Sequence, residues 1–331
     1  MDYKEIFQRF SRLNILIIGD VMVDSYMWGK VERISPEAPV PVCTIAKKES
    51  RLGGAANVAL NVAAMGAEPI LCSIVGEDAS GELLLSLMQE SGLSIKGIVT
   101  SQTRQTTTKT RVLSGYSQML RVDEETDKDI LKEEEAILLK AIFDIIATKR
   151  IDAIIFQDYD KGVITKNIIE SVVAKAKSNK IPTAADPKKR NFLNYDNITL
   201  FKPNLKELKE GLKTEIDTIN EETLRKATDL LHDRHKIEKV FVTLSDKGVF
   251  MVDYGKQTVK SCFLSAHLRQ ISDVSGAGDT VISVASLCLA LGMEAVDIAM
   301  ISNLAGGLVC ESVGVVPIDR EILFNELTKQ I

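Results

Sequence analysis

The chain has 331 residues, of which 45% are hydrophobic and 26% charged, with a formal net charge of −5. That is enough apolar material for one large α/β domain or two smaller ones, and the mildly acidic balance argues against a general nucleic-acid binder. Cys43, Cys72, Cys262, Cys288 and Cys310 are scattered without a C-x-x-C pair, which reads as free, mostly buried thiols in a reducing compartment. The N-terminus shows no basic head before a long apolar stretch, and no apolar run reaches the roughly 18 residues of a membrane span. The expectation is a cytoplasmic protein with neither membrane nor nucleic acid as partner.

In chain order, "NILIIGD" (14–20) reads as a short buried strand ending in Gly-Asp. The segment 27–50 holds "ISPEAPVPV", whose three prolines between 36 and 41 exclude a helix or a central strand and point to edge strands or a flap. "GGAANVALNVAAMGA" (53–67) reads as a helix of small residues, with glycines at its start and Gly66 after its end. "PILCSIVG" follows as a strand and "SGELLLSLMQESG" as a helix closed by Gly92. "TRQTTTKTRVLSGYSQMLRVDEE" (103–125) is rich in Thr, Val and Arg and reads as a hairpin or flap. From about residue 130 the pattern alternates. A helix over 130–147 precedes the strand "AIIFQD", and the helix "TKNIIESVVAKAKSN" precedes the strand "PTAAD". "ITLFKPN", the helix "LKELKEG" and a charged helix near 221–234 come next; His232 and His235 on the last read as surface residues. The strand "KVFVTLS", two short strands to 263 and helices from 277 complete the chain. This alternation implies a mostly parallel sheet covered on both faces, with segments 27–50 and 100–122 as a small β lid inserted between its units.

Ligands of open α/β sheets bind outside the carboxyl ends of the strands. The polar residues at predicted strand ends are therefore the candidates: Asp20, Asp24, Asp158, Asp186, Asn204 with Glu207, Ser245 and Asp279. Any one of them, Asp186 for instance, reads equally well as a helix N-cap. "GAGD" (276–279) has a specific mechanism. Small residues let the amides of Gly276, Ala277 and Gly278 converge on an anion at a helix N-terminus. Asp279 beside it can take a proton from an attacking hydroxyl during phosphoryl transfer. Alone, the four residues fit a plain glycine-rich helix start just as well. G-x-G-x-x-G fails at Val281 and no G-x-x-x-x-G-K-[ST] occurs, so neither a dinucleotide fingerprint nor a P-loop is present. With three histidines in all, a zinc site or a Ser-His-Asp triad is disfavoured.

"GGAANVA" (53–59), with Gly66 and Gly76 beyond it, resembles the N-terminal motif of the ribokinase-like (PfkB) carbohydrate kinases. "DVSGAGDT" (273–280) resembles their C-terminal motif, "PNLKE" their N-x-x-E element and "TLSDKG" their nucleotide-side turn. The order and spacing fit nearly the whole chain; Val284 departs from the small residue common at that place. Within the family, "GDVMVDSYMWGKVERISPEAPVPV" (19–42), "LRVDEE", "DYDKG" and "ADPKKRNFLNY" are similar to the D-glycero-β-D-manno-heptose-7-phosphate kinases. The resemblance is to the kinase alone, because the H-x-G-H motif of the adenylyltransferase to which such kinases are often fused does not occur here.

What the resemblance implies is an α/β fold, a ribokinase-like three-layer sandwich with a mostly parallel central sheet and an inserted β lid, forming one kinase domain over 1–331. It implies ATP and Mg2+, with phosphorylation of a heptose 7-phosphate at its anomeric hydroxyl. Asp279 becomes the base, and Gly276, Ala277 and Gly278 the anion hole. Asn204 and Glu207 organise the magnesium, Glu207 through water. Asp20, Asp24, Gly53, Gly54 and Asn57 hold sugar hydroxyls, with Asp158 and Asp186 counted among the substrate residues. Arg104, Lys109, Arg111, Lys161 and Lys188 are the candidates for the substrate's phosphate, with Lys189 and Arg190 behind them. Ser245, Gly248 and Asn303 line the nucleotide. A homodimer through the lid is expected, since its edge strands are otherwise exposed.

Overall fold

The computed structural model describes residues 2–115, 117–256, 258–267 and 271–329. In chain order the described elements are α1 (Tyr3–Phe10), β1 (Asn14–Gly19), β2 (Val21–Ile34), β3 (Pro41–Gly54), α2 (Ala55–Ala64), β4 (Glu68–Gly76), α3 (Ala79–Glu90), β5 (Ile98–Ser101), β6 (Thr108–Ser114) and β7 (Ser117–Glu124). They continue with α4 (Lys132–Thr148), β8 (Ala153–Gln157), α5 (Lys166–Ser178), β9 (Thr183–Asp186), β10 (Leu200–Phe201), α6 (Leu205–Leu212), α7 (Glu221–His235), β11 (Lys239–Thr243), β12 (Val249–Asp253), β13 (Lys260–Leu264), α8 (Ala277–Ala290), α9 (Ala295–Val309) and α10 (Arg320–Thr328).

Nine strands form one sheet in the order β13-β12-β11-β10-β9-β8-β1-β4-β5. Pairing is parallel from β11 through to β5, and antiparallel only at β11–β12 and β12–β13. Successive side chains on a strand face opposite sides, and β1 shows the consequence. Ile15 and Ile17 enter a core shared with α1, α2, α8, α9 and α10, while Leu16 and Ile18 enter a second core against α4, α5, α6 and α7. Three layers result, with the sheet in the middle. Fully burying a side chain of this size stabilises by about 1.5–3 kcal/mol, so the double burial of β1, β8 and β9 anchors the scaffold.

The lid is a separate four-stranded sheet in the order β3-β2-β6-β7. It grows directly out of the scaffold, because β2 begins two residues after β1 ends and β3 runs straight into α2. Gly54 makes that second junction possible. Its φ is +60, and a Cβ there would stand 2.4 Å from the Asp20 carbonyl.

Several elements differ from the sequence reading. Gly53 and Gly54 end strand β3, and Gly54 also serves as the N-cap of the helix, whose first residue is Ala55. The lid strands span 21–54 and 108–124, and residues 98–101 form β5, an edge strand of the main sheet. No helix was expected at α1; its buried Tyr3, Ile6, Phe7 and Phe10 follow helical spacing. His232 and His235 are half-buried: His232 stacks on Tyr254 with centroids 4.3 Å apart, and His235 Nδ1 lies 2.7 Å from Asp196. All five cysteines are free, two of them buried.

Candidate active site

Because β1, β8, β9, β10 and β11 run parallel, their carboxyl ends open on one rim. The register sets Gly19 beside Gln157 and Gln157 beside Asp186, so Asp20, Asp158 and Asp186 become neighbours there. Helix α8 points its N-terminus at the same rim. Its N-cap, Gly276, has φ +80, and no side chain caps the helix. First-turn amides have no intrahelical acceptor. Ala277 turns its own back to the Val274 carbonyl at 3.3 Å, so the amides α8 presents outward are those of Gly278 and Asp279.

Asp279 is the third residue of α8 and only 3% exposed. Its Oδ2 accepts from Asn57 Nδ2 at 2.8 Å; its Oδ1 accepts from Gln157 Nε2 at 3.0 Å and from the Tyr159 hydroxyl at 2.7 Å. Burial, reinforced by the nearby Asp186 charge, pushes Asp279 up to about 6, even though Asn57 and Tyr159 stabilise its ionised form. A carboxylate poised there is ionised at neutral pH and can still take a proton.

Asp186 shows the opposite balance. Burial would raise it, but the cations Lys188 and Lys202 outweigh burial and hold it below the usual carboxylate range. Lys202 Nζ sits 3.0 Å from Asp186 Oδ2, and Lys188 Nζ sits 3.5 Å from Oδ1. Lys202 is 2% exposed, and its ammonium is 3.7 Å from where a Cβ on Gly278 would stand. A buried ammonium and the start of α8 thus face the same point, an arrangement that suits a phosphoryl group.

Asp20 is engaged differently. Its carboxylate accepts from the amides of Tyr159, Lys161 and Val163 at 2.8, 3.1 and 3.0 Å. Burial raises it, those three amides pull it down, and the net shift is upward. It therefore builds the 158–163 loop. Asp158 accepts from Asp160 N, Asn191 and Tyr195, and burial with the Asp20 charge pushes it up to about 7. Asp24, on β2, pairs with Arg111 on β6, and a Cβ on Gly53 would collide with its carboxylate.

The basic candidates separate into two groups. Lys109 and Lys161 converge on Glu125, at 2.6 and 2.7 Å, under the lid. Lys109 also reaches Asp123 at 3.1 Å, and Arg111 lies 5.3 Å from the Tyr26 ring centroid. Lys188, by contrast, lies on the α6 side, paired with Glu207 and 5.5 Å from the Tyr159 ring centroid. Arg104 gives its guanidinium to the carbonyls of Lys128 and Lys161. Arg190 pairs with Asp129 at 3.4 Å and lies 3.8 Å from Asp160, and Lys189 lies 3.8 Å from Glu210.

On the far side of α8 a cleft of about 630 Å³ is lined by Asn204, Ser245, Gly248, Val281, Asn303 and Gly306, among others. Its size suits a nucleotide-sized ligand. Asn204 and Glu207 form a reciprocal capping box at the start of α6: Glu207 N donates to Asn204 Oδ1 at 2.9 Å, and Asn204 N to Glu207 Oε2 at 2.8 Å. Lys188 sits on its other oxygen, so each Glu207 oxygen carries one donor and keeps one acceptor site. Among the described residues no group of three or more His, Cys, Asp or Glu side chains could hold a metal alone. Magnesium that rides on substrate phosphates needs no more than one or two carboxylates, and the buried Asp186 Oδ1, which has no hydrogen-bond partner, leaves an acceptor at this rim. The donor set therefore fits such an ion.

Gln157, Tyr159 and Lys202 were absent from the sequence reading. Gln157 and Lys202 carried the signal that found the aspartates, a polar residue ending an apolar run. Tyr159 carried none, because a loop conformation delivers it.

The pfkB family carbohydrate kinase signature matches residues 12–321. The "Bifunctional protein HldE" of Methylobacillus flagellatus is 39% identical over 96% of the chain and 63% of its own length. That of Pelobacter propionicus is 36% identical over 94% of the chain and 62% of its own length. The chain thus spans less than two thirds of these curated relatives. Phosphofructokinase-2 from Escherichia coli, solved with potassium, superposes with a TM-score of 0.75 over 96% of this chain and 99% of its own at 19% identity. Arabidopsis thaliana ribokinase, solved with ribose and ATP, gives 0.70 over 94% and 98% at 17% identity. Likeness at these identities establishes the fold, a ribokinase-like α/β sandwich.

Proposed function

Because the chain belongs to the pfkB family of carbohydrate kinases, we propose that it transfers the γ-phosphoryl group of ATP to the anomeric hydroxyl of D-glycero-β-D-manno-heptose 7-phosphate. The product would be the 1,7-bisphosphate, on the route to ADP-heptose for lipopolysaccharide and surface glycans. The observation that carries the reading is Asp279, a buried carboxylate raised to about 6, standing between a nucleotide-sized cleft and a lid with basic residues beneath it. The heptose assignment draws on 36–39% identity across nearly the whole chain to the two bifunctional relatives.

In this mechanism Asp279 takes the proton of the sugar hydroxyl as its oxygen attacks the γ-phosphorus. The amides of Gly276, Gly278 and Asp279, together with Lys202, receive the charge on the transferring group, and Lys188 screens the phosphates from the α6 side. Asn57 and Gln157 hold the carboxylate in line. Asn204, Ser245, Gly248 and Asn303 border the nucleotide, with the base in the apolar part of the cleft. Magnesium, held on the phosphates and through water by Glu207, would neutralise phosphate charge. Asp24, Gly53 and Arg111 shape the sugar side, and Lys109 with Lys161 receive the 7-phosphate in place of Glu125. Residues 1–331 act as one kinase unit in a reducing cytoplasm. Ile34, Val40, Met119, Leu120 and Val122 expose apolar side chains on the lid, which supports dimerisation through it.

ADP release measured with a panel of sugars and sugar phosphates tests the assignment. Heptose 7-phosphate should be preferred by orders of magnitude in kcat/KM. Strong turnover of another sugar with none on heptose 7-phosphate replaces the substrate, and no turnover on any sugar leaves a non-catalytic binder.

A further inference from the structure

Asp279 is engaged by three donors before any substrate arrives, and the three are not equivalent. Asn57 and Gln157 are wholly buried. Asn57 lies inside α2 and also accepts from Asn61, and Gln157 is locked between β1 and β9. Tyr159 is half-buried and belongs to the irregular segment between β8 and α5. The one hydrogen bond its hydroxyl makes among the described residues is the 2.7 Å contact to Asp279 Oδ1. The loop is held by the Asp20 carboxylate through the amides of 159, 161 and 163, so the backbone that carries the ring is fixed.

A carboxylate oxygen has two lone-pair sites. Gln157 and Tyr159 take both sites of Oδ1, while Oδ2 accepts from Asn57 alone among the described residues and keeps one site. Gln157 is wholly buried at the end of a central strand, whereas Tyr159 is half-buried on a loop, so the phenol has the easier way out. We propose that Tyr159 occupies the acceptor hydroxyl's place on Asp279 while no sugar is bound, keeps water from that place, and is displaced by the sugar. The inference rests on Asp279 being the base of the transfer reaction, with Oδ1 as the oxygen that takes the proton. When the sugar binds, its hydroxyl proton passes to Asp279, its oxygen bonds to the γ-phosphorus, and the bond from that phosphorus to the ADP oxygen breaks. Water in the same place would undergo the same steps and yield ADP and inorganic phosphate, so the phenol acts as a guard against wasted ATP. It is a positioning residue; Asp279 remains the group that takes the proton.

The test is the full chain carrying Tyr159→Phe, with ATP and magnesium, assayed for ADP release first without sugar and then across sugar concentrations. Sugar-free ADP release should rise roughly ten- to hundredfold, the range one charge-assisted hydrogen bond is worth. The KM for the sugar should fall while kcat stays within a few-fold. A gain of activity cannot come from a failure to fold, and adding Asp279→Asn to Tyr159→Phe should abolish the new hydrolysis. Sugar-free release equal to the wild type overturns the proposal, as does a collapse of sugar-dependent kcat, or a phosphate found on Tyr159 in wild-type protein incubated with ATP. New hydrolysis that survives Asp279→Asn overturns the base assignment. Sugar-free release gained in Tyr159→Phe, with no sugar of the panel phosphorylated, instead refutes only the substrate reading.

Discussion

In the nine-stranded sheet, β8 and β9 are buried at every position, whereas β7 of the lid is exposed at all but one. The two sheets meet at the proposed active site and contribute differently to it. The scaffold supplies groups whose neighbours are fixed by burial on both faces: Gln157, Asp186, Lys202 and, through α8, Asp279. The lid supplies groups held by ion pairs near solvent, such as Lys109 with Glu125, whose side chains are 15% and 27% exposed. Pairs of that kind, half-buried, contribute less to folding than the wholly buried Lys202–Asp186 pair, so they can be exchanged for a ligand. The difference teaches where changes should cost stability and where they should cost only binding.

The sharpest separation is expected at Asp279. Asp279→Asn keeps the shape and the Gly276–Asp279 turn but removes the base, so turnover should fall by about 10²–10⁴ with the melting temperature nearly unchanged. Turnover within tenfold of the wild type would remove Asp279 from its role. Lys202→Met should damage both properties, because Asp186 then stays buried with its nearer cation gone. Breaking such a pair costs about 3–5 kcal/mol, readable as a lowered denaturant midpoint, and kcat should drop with it. An unchanged midpoint would mean that the scaffold tolerates the loss as the lid does.

On the lid side, Lys109→Ala combined with Lys161→Ala should raise the KM for a phosphorylated sugar about tenfold or more. Folding stability should stay within about 1 kcal/mol, and the KM for the unphosphorylated sugar should not change. Equal effects on both sugars would place the phosphate elsewhere. The pH profile gives a gentler contrast. Asp279 is raised by burial to about 6 amid Asp186, Lys188, Lys202 and Tyr159, so kcat/KM should fall as pH drops through about 6. The sign for folding is opposite: a carboxyl whose pKa is higher in the folded chain than in the unfolded one adds stability as pH falls from about 6 towards its ordinary value near 4. On acidification activity should therefore be lost while this group's contribution to stability rises. An acid limb near pH 4 would contradict the buried base. The smallest effect on the protomer should come from Leu120→Lys, within roughly 0.5 kcal/mol as for an exposed surface site. If the lid dimerises, the same change should shift sedimentation from dimer to monomer; an unchanged mass would place the interface elsewhere.

Much of the scaffold was readable because its strands are short apolar runs ending in polar residues and its helices carry caps. Asn204 illustrates the limit of such reading. N-x-x-E pointed to the nucleotide, while locally the pair Asn204 and Glu207 makes a capping box, and one residue can serve both ends. Gly53 and Gly54 looked like a helix start because small residues follow them. They also end a strand, with Gly54 capping α2, and Gly53 lies against Asp24 and Gly54 against the Asp20 carbonyl, contacts that local spacing does not encode. The basic residues were the least legible. Lys161 and Lys188 both sit in motifs shared with heptose kinases, yet one faces the lid and the other pairs with Glu207 across the rim.

Local pattern alone determined the layered α/β class, the parallel run of strands, the glycine turn ahead of α8 and Asp279 within it, because periodicity and backbone conformation act over a few residues. The company Asp279 keeps was decided only by the tertiary structure. Asn57 stands 222 positions away, Gln157 122 and Tyr159 120. They meet because parallel register aligns strand ends and because α2 and α8 pack side by side on one face of the sheet. Burial and the Asp186 charge then push the carboxyl to about 6, a balance set by distance in space that no order of residues along the chain prints.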